Sequence, residues 1–194
     1  GSQALLDRGL RRRGWQDLPI VGILLTHGHL DHTYNVAALK HRTGAWVAAP
    51  RDDARHLIGT YPYTGISRVC GALEAAGRAL LRYRRFEVEW WLEGGETIDV
   101  WGGLHPVMLP GHTVGHLGYH CPARRLLFTG DLFVSYAYRY GFPPSIFNSC
   151  PRLLLPSLRK VATMDLGGIL PNHGDRATPE KHLERLHRFL RRRR

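Results

Sequence analysis

Short apolar runs alternate with amphipathic stretches along this chain, and their spacing predicts the elements in order. Residues 3–13 pattern as a short basic helix. Ile20–Leu25 (IVGILL) is a continuous apolar run with β-branched members, which predicts a strand buried on both faces. A helix follows over Tyr34–Arg42 and stops at Gly44, because glycine accepts the left-handed conformation that ends a helix. Ala45–Pro50 (AWVAAP) reads as the next strand and residues 52–59 as a short helix. Ile66, Val69, Leu73, Ala76 and Leu80 keep helical spacing, so 66–83 is expected to be a long amphipathic helix.

The second half turns to shorter strands. FEVEWW (86–91) alternates partway as a strand, and Gly94-Gly95 makes a tight turn into TIDVW (97–101). HPVML (105–109), LGYHC (117–121) and LLFTG (126–130) are further strands, the last two joined by the turn Pro122–Arg125. Residues 151–163 read as helical and GGIL (167–170) as a final strand. Pro179, beside the cap Thr178, opens a last helix with Leu183, Leu186 and Leu190 as its apolar stripe. Such an order predicts sheets sandwiched between helices. With no repeat or long linker, residues 1–194 read as one domain.

Composition narrows the class. Hydrophobic residues make up 43% of the 194 positions, enough for a buried core, and no apolar run approaches the ~18 residues of a membrane span. Gly1-Ser2 without a methionine reads as a tag scar. Cys70, Cys121 and Cys150 are odd in number and lack metal-type spacing, so reduced thiols in a cytoplasmic protein are expected. The net charge of +11 points to a polyanionic partner, yet the basic residues are almost all arginine and spread along the chain. That imbalance fits the residue usage of a GC-rich genome. Nucleic acid is therefore the less favoured partner.

Chemistry concentrates in four segments, each placed after an apolar strand. THGHLDH (26–32) carries three histidines and an aspartate, LPGHTVGH (109–116) offers His112 and His116, LFTGD (127–131) ends on Asp131, and ILPNHGD (169–175) contains His173. Strand ends are where layered α/β folds gather ligands. Imidazoles with carboxylates suit Zn²⁺ best among common metals.

In this order the four segments resemble the metallo-β-lactamase superfamily, over nearly the whole chain. The resemblance implies an α/β (α+β) four-layer αββα sandwich, here without the strands that usually precede the first helix. It implies two metal ions: His27, His29 and His112 on one, Asp31, His32 and His173 on the other, and Asp131 bridging them. A histidine at position 29 favours zinc, with iron or manganese as alternatives. Asp31 and Asp131 are the catalytic candidates, as ligands of a metal-bridging hydroxide, with Asp31 passing a proton to the leaving group. Gly28 and Leu30 are spacers in a tight turn, and Val114 stands where many members carry proline. Thr26, Asn172 and His116 could orient ligands, a plain structural role for His116 being the alternative. The other histidines (41, 56, 105, 120, 182 and 187) read as ordinary.

The expected function is metal-dependent hydrolysis of an ester-type bond, in a thioester, lactone or similar small acyl substrate. Tyr136, Tyr138 or Tyr140 could face an oxyanion and Arg139 a carboxylate or phosphate. The segment 61–92 is expected to supply an apolar lid, which suits an acyl or ring substrate better than RNA. The glyoxalase II type of the superfamily carries an extra helical domain after the metal core, and these 194 residues are expected to end too soon for one. A phosphodiesterase acting on nucleic acid is one alternative, and an impaired or non-catalytic metal-binding protein is the other. A homodimer is expected to cover the sheet edge left open by the missing strands.

Overall fold

The computed structural model describes residues 2–60 and 63–193. Seven helices are described: α1 (Ser2–Arg11), α2 (Leu30–Thr33), α3 (Val36–Thr43), α4 (Ala54–Leu57), α5 (Arg68–Leu80), α6 (Leu154–Ala162) and α7 (Pro179–Arg191). Among the strands, β1 (Gly22–Leu24), β2 (Trp46–Pro50) and β3 (Trp90–Leu92) form a parallel sheet in that order. The second sheet has the order β4-β5-β6-β9, from β4 (His105–Met108), β5 (Leu117–Cys121), β6 (Leu126–Gly130) and β9 (Gly168–Pro171). A small hairpin joins β7 (Val134–Ser135) to β8 (Tyr140–Gly141).

Three apolar clusters define the layers. Ala48, Leu92, Leu117 and Tyr119 pack between the two sheets. Val36 and Leu57 cover the outer side of the first sheet through Val47 and Ala49. Leu158 and Leu186 cover the outer side of the second through Leu127 and Ile169, with the expected stripe residues Leu183 and Leu190 beside them. The result is the αββα sandwich. Gly44 ends α3 at φ +70°, and its amide bonds to the Lys40 carbonyl, as its position predicts.

Four expectations change. The run Ile20–Leu25 gives only the three-residue β1, half-buried and not covered on both faces, because β1 is the sheet's edge strand. Val21 is exposed. TIDVW is not a strand: Ile98 pairs singly with Leu104 across a turn in which Trp101, Gly102 and Gly103 take positive φ. Asp31 and His32 lie on the single helical turn α2, while His29 before it is extended, so the motif is half turn and half helix.

The fourth change concerns α5. Its apolar stripe faces outward, with Ile66, Val69, Leu73 and Leu80 all exposed. The buried face is Cys70, Glu74 and Arg78. Glu74 accepts the Leu30 amide at 2.6 Å and Arg78 donates to the Gly28 carbonyl at 3.2 Å. Polar bonds to THGHLDH, and not apolar burial, orient this helix. Tyr61 and Pro62, part of the expected lid, lie outside the described residues, as do Gly1 of the expected tag scar and Arg194 of the terminal arginine run.

Candidate metal centre

All four chemistry-bearing loops follow the C-terminal ends of strands, and β4, β6 and β9 run in one direction. Thr26–His29 leave β1, Gly111–His116 follow β4, Asp131 follows β6 and His173 follows β9. The Leu117 amide donates to the Thr26 carbonyl at 2.8 Å and ties the two sheets together at that end. All seven predicted site residues are thereby brought into one cluster. One ring nitrogen each of His27, His29 and His112 lie within 4.8 Å of one another, and so do ligand atoms of Asp31, His32, Asp131 and His173. Asp131 Oδ2 stands 3.1 Å from His173 Nε2, 3.5 Å from His32 Nε2 and 3.6 Å from His112 Nε2, so it faces both groups.

Hydrogen bonds fix how the rings point. Thr26 Oγ1 lies 3.0 Å from His27 Nδ1, and Asn148 Oδ1 accepts from His112 Nδ1 at 3.0 Å. Asn172 Nδ2 lies 3.3 Å from His32 Nδ1. Nε2 of His27, His29 and His112 stays buried with no hydrogen-bond partner, together with Asp131 Oδ1, while His32 Nε2 meets only the carboxylate of Asp31 at 3.3 Å and that of Asp131 at 3.5 Å. An orphaned buried polar atom costs about 1–3 kcal/mol. Several of them aimed at one centre is the arrangement a cation resolves. Residues and geometry therefore fit a metal site.

The electrostatics divide the cluster in two. Burial pushes His27, His29 and His112 below the ordinary imidazole value, and the neighbouring imidazoles add to this at His27 and His29, so all three are neutral, the form that ligates. At His32, burial acts in the same direction, but the carboxylates of Asp131 and Asp31 outweigh it and push the ring up to about 9. The same two aspartates push His173 up to about 10. In return, and against burial, His173 and His32 hold Asp31 and Asp131 below the carboxylate range.

His116 takes neither a plain structural role nor direct part in the cluster. Its Nε2 accepts the Asp131 amide at 3.0 Å, and burial pushes the ring down to about 3. Of the tyrosines, Tyr136 and Tyr138 stack at 5.6 Å on the cavity wall, whereas Tyr140 pairs with Ser135 and lies outside that cavity. The cavity measures about 760 Å³ and opens above Asp31, His112, Asp131 and His173. Leu73, Leu81, Val134 and Phe142 give it apolar walls, and Arg139 stands at its rim.

Four residues escaped the sequence reading. Asp53, fully buried, accepts from Gly28, Thr113 and Gly115. Asn148 orients His112, Glu74 holds the Leu30 amide, and His56 is buried against His29 at 5.5 Å. No motif marks any of them. Cys70 and Glu74 also approach His29, but Glu74 is engaged by Leu30 and Tyr63, and burial pushes the Cys70 thiol up to about 11.

Sheets stacked between helices, with a His/Asp cluster at the strand ends, define a metalloprotein of the layered αββα class. The chain belongs to the metallo-beta-lactamase superfamily, whose family model matches residues 1–173. It is 33% identical over 155 residues to a hydroxyacylglutathione hydrolase of Cereibacter sphaeroides, covering 80% of this chain and 47% of that protein. A second such hydrolase, from Dechloromonas aromatica, is 36% identical over 149 residues, 76% of this chain and 42% of its own. The chain thus spans about half the length of the curated relatives it matches. Among solved structures, a metallo-beta-lactamase family protein from Thermus thermophilus superposes with a TM-score of 0.70 at 21% identity, over 98% of this chain and 67% of the other. Superfamily membership implies a metal cofactor. No helix among the described residues is long and apolar enough to cross a membrane.

Proposed function

We propose that this chain is the core of a dinuclear zinc hydrolase that cleaves a thioester or a closely related acyl bond. The observation that carries the proposal is the set of inward-facing, unpartnered imidazole nitrogens beneath an apolar cavity. His27, His29 and His112 would hold one ion, Asp31, His32 and His173 the other, and Asp131 both. Ions held there would supply a water acidified toward neutral pH and would polarise the carbonyl under attack.

The protein's own groups do the rest. Net, an oxygen–carbon bond forms from water to the acyl carbon and the carbon–sulfur bond breaks. The thiolate leaves and takes up a proton, giving a carboxylic acid and a thiol. Asp131, fixed through its amide by His116, orients the reacting centre. Asp31, ionised and exposed to the cavity, is placed to take the proton that the attacking water loses and pass it to the leaving thiolate. Tyr136 and Tyr138 line the wall, and Leu73 and Phe142 would exclude water from the acyl group.

The curated relatives support thioesters as the substrate class, and the apolar walls support an acyl group over a nucleic acid. The charge of +11 keeps a phosphodiesterase as the second reading. The free thiols Cys70, Cys121 and Cys150 support a cytoplasmic setting, and the edge position of β1 supports self-association there. Metal analysis coupled to a panel of thioester, lactone, β-lactam and phosphodiester substrates tests the proposal. About two zinc ions per chain, reduced by His29→Ala, with turnover of thioesters, is the expected result. A metal content near zero in the wild type overturns it.

A further inference from the structure

The lysine and arginines of α7 up to Arg188 are neutralised. Lys181 and Arg188 pair with Glu184, and Arg185 pairs with Asp175. The end of the helix differs. Arg192 and Arg193 have no ion-pair partner among the described residues, and neither has Arg139 on the loop between β7 and β8. These three arginines line one surface depression of about 520 Å³. Tyr138 and Arg139 line both this depression and the cavity above the metal centre, so the two adjoin at that pair.

Stacking organises the depression. The Arg193 guanidinium lies 4.4 Å from the Phe189 ring centre and 5.4 Å from that of Phe142, itself a wall of the metal cavity. A guanidinium held by its face keeps its edge N–H groups free to donate. The carbonyl end of α7 favours positive charge, which accounts for Arg192 and Arg193 alone. It does not account for Arg139, which a separate hairpin brings to the same depression without an acid to balance it. Three unpaired guanidinium groups beside one cavity mouth match a ligand with several phosphate oxygens.

We infer that this depression binds the phosphate-bearing thiol carrier of an acyl thioester, with the acyl group in the apolar cavity and the carrier running past Arg139 to Arg192 and Arg193. The inference rests on the thioester reading of the centre and names the leaving group. Thiols carrying only isolated carboxylates would engage the cluster less fully, since a carboxylate offers two oxygens where a phosphate offers three.

Two measurements test it. The first compares one acyl group on coenzyme A and on N-acetylcysteamine, using the zinc-loaded full chain. Wild type is expected to prefer the coenzyme A thioester, through a lower KM that rises with salt. Arg192→Gln and Arg139→Gln are each expected to raise that KM up to about fivefold, and the double variant further. Arg12→Gln, in the turn after α1, removes the same charge from a residue that lines neither cavity and is expected to leave KM as it is. The second measures binding of S-methyl-coenzyme A, which cannot turn over, by calorimetry, with S-methylglutathione and a single-stranded oligonucleotide as competitors.

Binding that weakens in Arg192→Gln while no thioester is cleaved would sustain the carrier site and sink the thioester reading. Equal KM values for the two thioesters, equal binding by wild type and Arg192→Gln, or an oligonucleotide that displaces the probe at lower concentration than the probe itself would overturn the inference.

Discussion

Asp53 Oδ2 accepts the Gly28 amide at 2.9 Å and, from the other side, the Thr113 hydroxyl at 2.7 Å. Its second oxygen takes the Gly115 amide at 2.8 Å. One carboxylate therefore clamps the turn that carries His27 and His29 to the loop that carries His112. Burial pushes Asp53 above the usual carboxylate range, and the three donors work against that shift. Every partner is a donor, so an amide in its place would turn N–H toward N–H. Asp53→Asn is expected to weaken metal binding by about 10–100-fold while the fold survives. Chelator competition monitored by metal release measures it, and wild-type affinity in the variant would show that the clamp does not set ligand geometry.

Gly28 is constrained by contact and not by its backbone angles. A Cβ there would stand 2.5 Å from His56 Cβ and 3.2 Å from the Asp53 carbonyl oxygen. Gly28→Ala is expected to cost about 1–3 kcal/mol by overpacking. The His56→Gly background removes the closer obstacle, so the same substitution should cost less there. Chemical denaturation of the four proteins completes a double-mutant cycle, and strictly additive costs would place the strain elsewhere.

The seven clustered residues were legible because they lie in four segments that each follow an apolar run, in an order that resembles the superfamily's motifs. Asp53 and Glu74 were not, for a physical reason. Each acts on a backbone amide, Gly28 or Leu30, that leaves no trace in residue identity. The stripe Ile66–Leu80 shows the converse limit. Periodicity located α5 correctly but could not say which face is buried, and the polar bonds of Glu74 and Arg78 turn the apolar side outward. Likewise Ile20–Leu25 carries the composition of a central strand, while sheet order, set by distant pairing, leaves β1 at an edge.

Stability of the metal-free protein is expected to peak near neutral pH and fall on both sides. Burial pushes His56 down to about 4 and His116 down to about 3, so both stay neutral when folded. Unfolded, each protonates near its ordinary value of about 6.5, so below that pH the unfolded chain binds more protons. Each such histidine then steepens the loss by about 1.4 kcal/mol per pH unit until its folded value is reached. On the alkaline side the sign reverses. His32 and His173 are raised by Asp131 and Asp31, so their contribution is complete below about 6.5 and is lost as pH climbs toward about 9 and about 10. Urea midpoints in the presence of a chelator measure both limbs. His56→Phe should flatten the acid limb, and a slope unchanged by that substitution would contradict the assignment.

Leu73 separates binding from folding. It lines the metal cavity yet is 58% exposed, so little of the core depends on it. Its contribution should appear when an apolar acyl group covers it and removes the remaining surface from water. Leu73→Ser is expected to raise KM for a long acyl thioester about fivefold, since burying a methylene contributes about 0.8 kcal/mol. A two-carbon acyl group, too short to reach it, should show a smaller change. The melting temperature should move little, because the substituted side chain is already in solvent. A large drop in melting temperature with proportionate loss on both substrates would mean that Leu73 supports α5 itself, and the acyl group would then have to lie along the Val134 and Phe142 side of the cavity.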